Sequence, residues 1–132
     1  MRTAQIGKTA AAAITALSLS AALAAPAVAS DSWPSIRQEL YGARVIHDGS
    51  HNISLAAPGR PENQMEVPVA VDAVFKDGRT IKSVTILVDE NPAPVAAVFR
   101  FNQARQQAGI AAKFRFDAVT GVRAIVEASD GE

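Results

Sequence analysis

The sequence predicts an all-β protein, an antiparallel β-sandwich of about six strands preceded by a short helix. The segment Ile81–Val88 is rich in β-branched residues, which suit a pleated, half-buried strand. The proline-rich connection Asp89–Pro94 interrupts this pattern, which resumes over Ala96–Phe101. These two strands either pair as neighbours in one sheet or lie in two packed sheets, with the connection crossing between them. The same two-residue period recurs on both sides, so strands account for most of the fold.

The N-terminal residues 1–29 have the features of a cleaved export signal. Arg2 and Lys8 are followed by the apolar run Thr9–Ala25, and Ala27–Ala29 is a small-x-small cleavage site. We therefore predict that residues 1–29 are removed and that residues 30–132 form one domain. A retained membrane anchor is the alternative, although the run is short and alanine-rich for a spanning helix. The absence of an Arg-Arg pair indicates the general secretory route.

The composition of the predicted mature chain excludes several classes of protein. Removing Arg2 and Lys8 from the 13 basic residues leaves 11 against 13 acidic ones, a net charge of −2. No basic patch interleaved with aromatic residues is present, so nucleic acid is not an expected partner. The chain contains no cysteine, so neither a disulfide nor thiol chemistry is expected on it.

The first predicted element is a short helix over Ser30–Tyr41. Ser32 is suited to cap it, Pro34 lies in its first turn, and Gly42 ends it. An apolar stripe that includes Trp33 predicts that the helix docks as a lid on the end of the sandwich. The alternative interpretation of Trp33 is an aromatic residue that stacks on a ligand.

The first strands are predicted over His51–Ala56 and Met65–Phe75. In the second strand, Val67, Val69, Val71 and Ala73 share one face, and Pro68 on the other face indicates an edge position or a bulge. The turn Lys76–Arg79 contains Asp-Gly, which favours a tight hairpin turn. We therefore predict that Met65–Val88 is a β-hairpin.

The last strands are predicted over Ile110–Asp117 and Val119–Ala128, after a polar segment, Asn102–Gly109, that could form a helical turn. Asp-Gly within Ser129–Glu132 is a further hairpin signal, but no partner strand follows in the sequence. We interpret this as a domain that ends one closing strand early, and we therefore expect residues 30–132 to be truncated at the C-terminus. A frayed polar tail is the alternative.

The sequence offers three weak candidates for a chemical site. His47 and His51 are four residues apart, but Gly49 between them favours a turn over a metal site. The residue types of a nucleophilic triad are present in His51, Asp48 and either Ser50 or Ser54. All of them lie in one loop, where the geometry of a triad is not expected to form. The acidic pair Asp89–Glu90 has the residue types to bind Ca²⁺ or to act as acid and base. Adjacent residues of an extended chain point to opposite sides, so we interpret the pair as charges that solvate a turn. No catalytic residue, metal site or cofactor is predicted.

Several runs of the sequence resemble one known family. They are WPSIRQELYGARVI from Trp33, ISLAAPGRPEN from Ile53, VPVAV from Val67, VDENPAPVAAVFRF from Val88 and VRAIVEASDG from Val122. Together they resemble the sulfur-carrier family SoxY, and in particular the SoxYZ-like carriers found beside quinoprotein dehydrogenases. The resemblance covers nearly all of residues 30–132.

The resemblance implies an immunoglobulin-like β-sandwich in a periplasmic protein of sulfur-compound (thiosulfate) oxidation. It further implies a SoxZ-like partner, or a fused SoxZ-like domain, and a carrier role without catalysis. The family carries sulfur on a cysteine in a flexible Gly-Gly-Cys arm, which this chain lacks, so no sulfur-carrier residue is transferred to it. The usual twin-arginine signal is also absent, which favours the quinoprotein-associated branch. The alternative is a generic exported immunoglobulin-like binding or structural module.

Overall fold

The computed structural model describes residues 31–132, so the predicted export signal, residues 1–29, lies outside the described part. The elements are one helix and six strands: α1 Trp33–Tyr41, β1 Ile53–Ala56, β2 Val67–Val74, β3 Ile81–Val88, β4 Val95–Arg100, β5 Gln107–Phe114 and β6 Val122–Ala128. They form two three-stranded antiparallel sheets, with strand orders β1-β2-β5 and β4-β3-β6. The predicted immunoglobulin-like sandwich of six strands with a short helix is confirmed.

The predicted hairpin over Met65–Val88 is wrong, because β2 and β3 belong to different sheets. The Asp-Gly turn does form, and Gly78 has the expected positive φ of 90°. However, Phe75 donates its N–H to the carbonyl of Gln106, and Ile81 donates to the carbonyl of Arg105. The chain therefore crosses from one sheet to the other, since a turn signal specifies a reversal but not the pairing of the strands that it joins.

The proline-rich connection Asp89–Pro94 joins two neighbours in one sheet, which decides between the two predicted arrangements. β3 pairs with β4 in an antiparallel register that runs from Ser83 with Arg100 to Leu87 with Val95, with a shift between Ile86 and Leu87. Val88 donates its N–H to the carbonyl of Pro94, so the connection is closed by a backbone hydrogen bond.

The two central strands supply the core, as their alternating patterns predict. The side chains between the sheets are almost completely buried: Val67, Val69, Val71 and Ala73 from β2, and Val84, Ile86 and Val88 from β3. Each large apolar side chain buried in this way contributes about 1.5–3 kcal/mol. The inward faces of the two central strands therefore hold the sheets together.

The prediction of an edge position for Pro68 is wrong for the strand as a whole, since β2 lies between β1 and β5. Its pairing with β1 ends at Ala70 with Ala56, so β2 has no strand on that side at Pro68. A residue without a backbone N–H is tolerated where one side of a strand is open.

The polar segment Asn102–Gly109 does not form a helical turn, because β5 already begins at Gln107. Gln107, Ala108 and Gly109 pair with Val74, Ala73 and Asp72 of β2. Pairing with a central strand, together with burial of Ala108, outweighs the low strand propensity of this segment.

Helix α1 lies across the outer face of the sheet β4-β3-β6 and not on the end of the sandwich. Trp33 contacts Arg123 of β6, and the hydroxyl of Tyr41 hydrogen-bonds to Thr85 of β3. Ile36 and Leu87 are buried on this side, and burial raises the pKa of Tyr41. The helix therefore covers the part of this outer face that β3 and β6 form, while Val98 of β4 stays exposed.

Candidate functional site

His47 and His51 lie in an exposed turn between α1 and β1. The turn is closed by the N–H groups of Asn52 and Ile53, which both donate to the carbonyl of Gly49. His47 Nε2 lies 3.6 Å from a carboxylate oxygen of Glu132, with 60% of its side chain exposed. Within residues 31–132, no three His, Cys, Asp or Glu side chains are grouped so that they could hold a metal ion.

The residues considered as a nucleophilic triad do not converge. The Asp48 carboxylate accepts hydrogen bonds from the N–H and the hydroxyl of Ser50, at 2.9 and 3.1 Å. These bonds lower the pKa of Asp48 and stabilise the local turn. In the described part of the chain, no hydrogen bond joins His51 to Ser50 or Ser54. This cluster therefore has the geometry of a loop and not of a charge-relay site.

The interpretation of Asp89 as a turn-solvating charge is wrong. Its side chain is only 4% exposed, and Arg123 Nε donates to both of its oxygens, at 2.9 and 3.2 Å. Burial raises the pKa of Asp89, while the hydrogen bond and the charge of Arg123 act in the opposite direction. Asp89 is the one charged residue classed as buried in the described part, and it joins the end of β3 to the start of β6.

Two further side chains of this connection bind other segments. Ser32 donates its hydroxyl to Glu90 at 2.7 Å, and therefore does not make the predicted side-chain cap of α1. Asn91 donates its amide to the carbonyl of Arg115 and accepts the N–H of Asp117, at 2.8 and 2.9 Å. The connection thus holds together the start of α1, the loop between β5 and β6, and β6 itself. We call this region, residues 89–94 with Ser32 and residues 115–123, the connection end.

Trp33 has an intramolecular partner on its ring. The guanidinium of Arg123 lies 4.5 Å from the ring centroid, and a second nitrogen of Arg123 lies 3.8 Å from Asp31. Trp33 therefore helps to hold α1 against β6 through a cation–π contact. Arg123 and Asp89 are 34 residues apart, so no local sequence signal could have identified their pairing.

The opposite end of the sandwich carries exposed ion pairs around the C-terminal turn. Arg79 contacts Asp77 and Glu132, each at 2.7 Å, and stacks over Phe75. Arg44 donates to the carbonyl of Gly131 at 3.2 Å. We call this region, residues 44–50, 76–79 and 129–132, the tail end. Its ionic contacts lie at the surface, in contrast to Asp89.

A groove of about 350 Å³ opens between the tail end and β6. It is lined by apolar side chains of β1 and β6, including Ile53, Leu55 and Val126, and by the segment 44–50. Sequence reasoning did not identify this groove, because its walls come from segments that are distant along the chain.

Most of the chain matches one known protein family. A profile of the family described as "Sulfur oxidation protein SoxY" matches residues 37–132, which is well over half of the sequence. Among curated proteins, none matches the chain. Within residues 31–132, no helix has the length and apolar character needed to span a membrane. The matched range contains all six strands of this sandwich, and the chain therefore belongs to the SoxY family of sulfur oxidation proteins.

Proposed function

We propose that this chain is a periplasmic carrier-type scaffold that pairs with a SoxZ-like protein, or a SoxZ-like domain, in the oxidation of sulfur compounds. The single observation that carries the proposal is the SoxY match over residues 37–132. The match includes the connection Asp89–Pro94, whose side chains hold three separate segments in place. A rigid sandwich of this kind is suited to present a binding surface to a partner.

The proposed role is binding without catalysis. None of the 132 residues is a cysteine, so a persulfide has no thiolate on this chain on which to form. We propose that the chain acts through its contact with the SoxZ-like partner, and that it holds no cofactor. Mass spectrometry of the protein isolated with a sulfur substrate should show the unmodified mass; a persulfide or thiosulfonate adduct on this chain would contradict the proposal.

Pairing is tested by urea unfolding of the exported chain with and without a SoxZ-like protein. A partner that binds only the folded chain stabilises it, by about 2.7 kcal/mol at a free concentration 100 times the dissociation constant. We therefore expect the unfolding midpoint to rise with partner concentration, and an unrelated exported sandwich protein is the matched control. An unchanged midpoint together with the absence of a complex in gel filtration would favour a generic binding or structural module.

The proposed location is tested by fractionating cells that express the full sequence. We expect the protein in the periplasmic fraction, with Ser30 as its first residue. A protein that is retained in the membrane fraction with residues 1–29 intact would contradict export by a cleaved signal.

A further inference from the structure

Helix α1 is separate from the hydrophobic core between the two sheets. Among the described residues, that core consists of strand residues and residues that adjoin the strands, and it includes no side chain of α1. Ile36 is the one residue of α1 classed as buried, and it lies outside this core. The contacts that join the two sheets therefore do not depend on the helix.

The helix has little stability of its own. It has nine residues, no acidic residue in its first turn and no basic residue in its last turn, and within the described residues no side chain caps its start. Isolated helices shorter than about 12–15 residues are marginal in water. The helical conformation of α1 therefore depends on its docking to the sheet.

The helix is docked through a few side-chain contacts near its two ends. At its start, the Ser32 hydroxyl donates to Glu90 at 2.7 Å, and the ring of Trp33 lies 4.5 Å from the guanidinium of Arg123. At its other end, the hydroxyl of Tyr41 hydrogen-bonds to Thr85. Losing the contacts at the start would therefore free a large part of the attachment.

The contact at the start of the helix depends on a buried carboxylate. Arg123 Nε donates to both oxygens of Asp89, at 2.9 and 3.2 Å, and the other side of the guanidinium faces Trp33. The side chain of Asp89 is 4% exposed, whereas that of Arg123 is 34% exposed. The enclosed carboxylate therefore fixes the orientation of Arg123, and Asp89 is a positioning residue for α1.

An apolar strip lies on the outer face of the sheet at the helix. Leu87 is fully buried although its side chain points away from the inter-sheet core, opposite to Ile86 and Val88. It is in register with Val95 of β4, and Val95 and Val98 are already 37% and 41% exposed. Removing the helix would join Leu87 to these two valines in one apolar strip.

We propose that α1 is a strap that opens from the outer face of the sheet as one unit while the sandwich stays folded. The pair of Asp89 and Arg123 sets how firmly the strap is closed, through the contact of Arg123 with Trp33. Opening uncovers the apolar strip of Leu87, Val95 and Val98. The proposal goes beyond the sulfur-carrier role and does not rest on it.

The test is hydrogen exchange of the purified, isotopically labelled chain at urea concentrations below the unfolding transition. The amides of α1 should share one protection factor, at least about ten-fold lower than that of Val71 and Ile86 in the central strands. Trp33 is the single tryptophan of the sequence, so quenching of its fluorescence by acrylamide gives a second readout of opening. Protection of α1 equal to that of Val71 and Ile86 would overturn the proposal.

The role of the buried pair is tested with Asp89→Asn, which removes the charge that orients Arg123. The protection of the α1 amides should fall by about ten-fold and the quenching of Trp33 should rise. A purely structural role would lower the protection of Val71 and Ile86 and leave the opening of α1 unchanged, and this result would overturn the proposal. Asp117→Asn is the matched control, because Asp117 pairs with Arg115 at the same end but is exposed.

A second variant tests the same contact from the side of the helix. Trp33→Leu removes the ring from Arg123 without altering Asp89, and should lower the protection of α1 by about five-fold. The amides of Val71 and Ile86 should keep their protection. Should Asp89→Asn fail to fold, this variant decides, and unchanged protection of α1 in it would overturn the proposal.

Discussion

The two ends of the sandwich use the same ionic chemistry in different environments. At the connection end, Arg123 pairs with Asp89, whose side chain is 4% exposed. At the tail end, Arg79 pairs with Asp77, whose side chain is 52% exposed. Burial raises the pKa of Asp89, whereas hydrogen bonds from Arg79 lower the pKa of Asp77. The same pair of residue types therefore joins strands at one end and stabilises a surface turn at the other.

This difference separates an end fixed by a buried carboxylate from an end held by exposed ion pairs. The connection end joins α1, the loop before β6 and the end of β3 through hydrogen bonds from Ser32, Asn91 and Arg123. At the tail end, Arg79 binds Glu132 and Arg44 donates to the carbonyl of Gly131, both at the surface. The connection end therefore anchors the helix to the sheet, whereas the tail end joins two surface turns.

The largest loss of stability is expected for Asp89→Ala, which removes the buried carboxylate of the connection end. Removing this carboxylate eliminates the hydrogen bonds from Arg123, and a hydrogen bond to a charged group contributes about 1.5–3 kcal/mol. We expect the free energy of unfolding, measured in urea, to fall by about that amount. Asp77→Ala is the matched control and should cost less, because its pair is exposed. Equal losses at the two positions would remove the distinction between the two ends.

The next effect is expected for Gly121→Ala, which tests the packing against Asp89. A Cβ atom at position 121 would lie 2.7 Å from Asp89 Oδ2, which is closer than van der Waals contact allows. Overpacking of this kind costs about 1–3 kcal/mol, and we expect a value near 2 kcal/mol by urea unfolding. Gly59→Ala is the control, since a Cβ there meets no atom within 4 Å. A Gly121→Ala variant as stable as the control would show that the buried carboxylate shifts without cost.

The smallest effect is on how stability depends on pH, because Asp89 and Asp77 contribute to it with opposite sign. Because the pKa of Asp89 is raised in the folded state, the folded chain binds more protons there, and this contribution to stability is lost as the pH rises through the folded pKa. The pKa of Asp77 is lowered, so its contribution is present above the unfolded pKa and is lost as the pH falls. Carboxyl titration by nuclear magnetic resonance should place the midpoint of Asp89 above that of Asp77. The reverse order would contradict the assigned environments.

The strands themselves could be predicted because their signal is local. Ile81–Val88 was predicted with the bounds that the structure shows, and the buried face of β2 follows its alternating valines. The start of β5 was not predicted, since Gln107–Gly109 has no strand propensity and pairs because β2 offers a partner. Propensity describes how a residue suits a pleated surface, whereas pairing depends on which strand is adjacent.

The candidate site was less predictable than the fold. Asp89 and Glu90 were noticed as an acidic pair, but burial of Asp89 depends on Arg123, which is distant in sequence. The triad candidates around His51 had suitable residue types without suitable geometry. Residue types restrict which reactions are possible. Only the distances between side chains decide which of those reactions a site can support.

Alternating apolar residues, turn glycines and the family motifs are properties of adjacent residues, and they were sufficient to predict a six-stranded sandwich of the SoxY type. Assigning β2 and β3 to different sheets and burying Asp89 under Arg123 are properties of segments that meet only in the folded chain. The physical reason is that local conformational preferences act within a few residues, whereas pairing, burial and charge depend on contacts between distant ones.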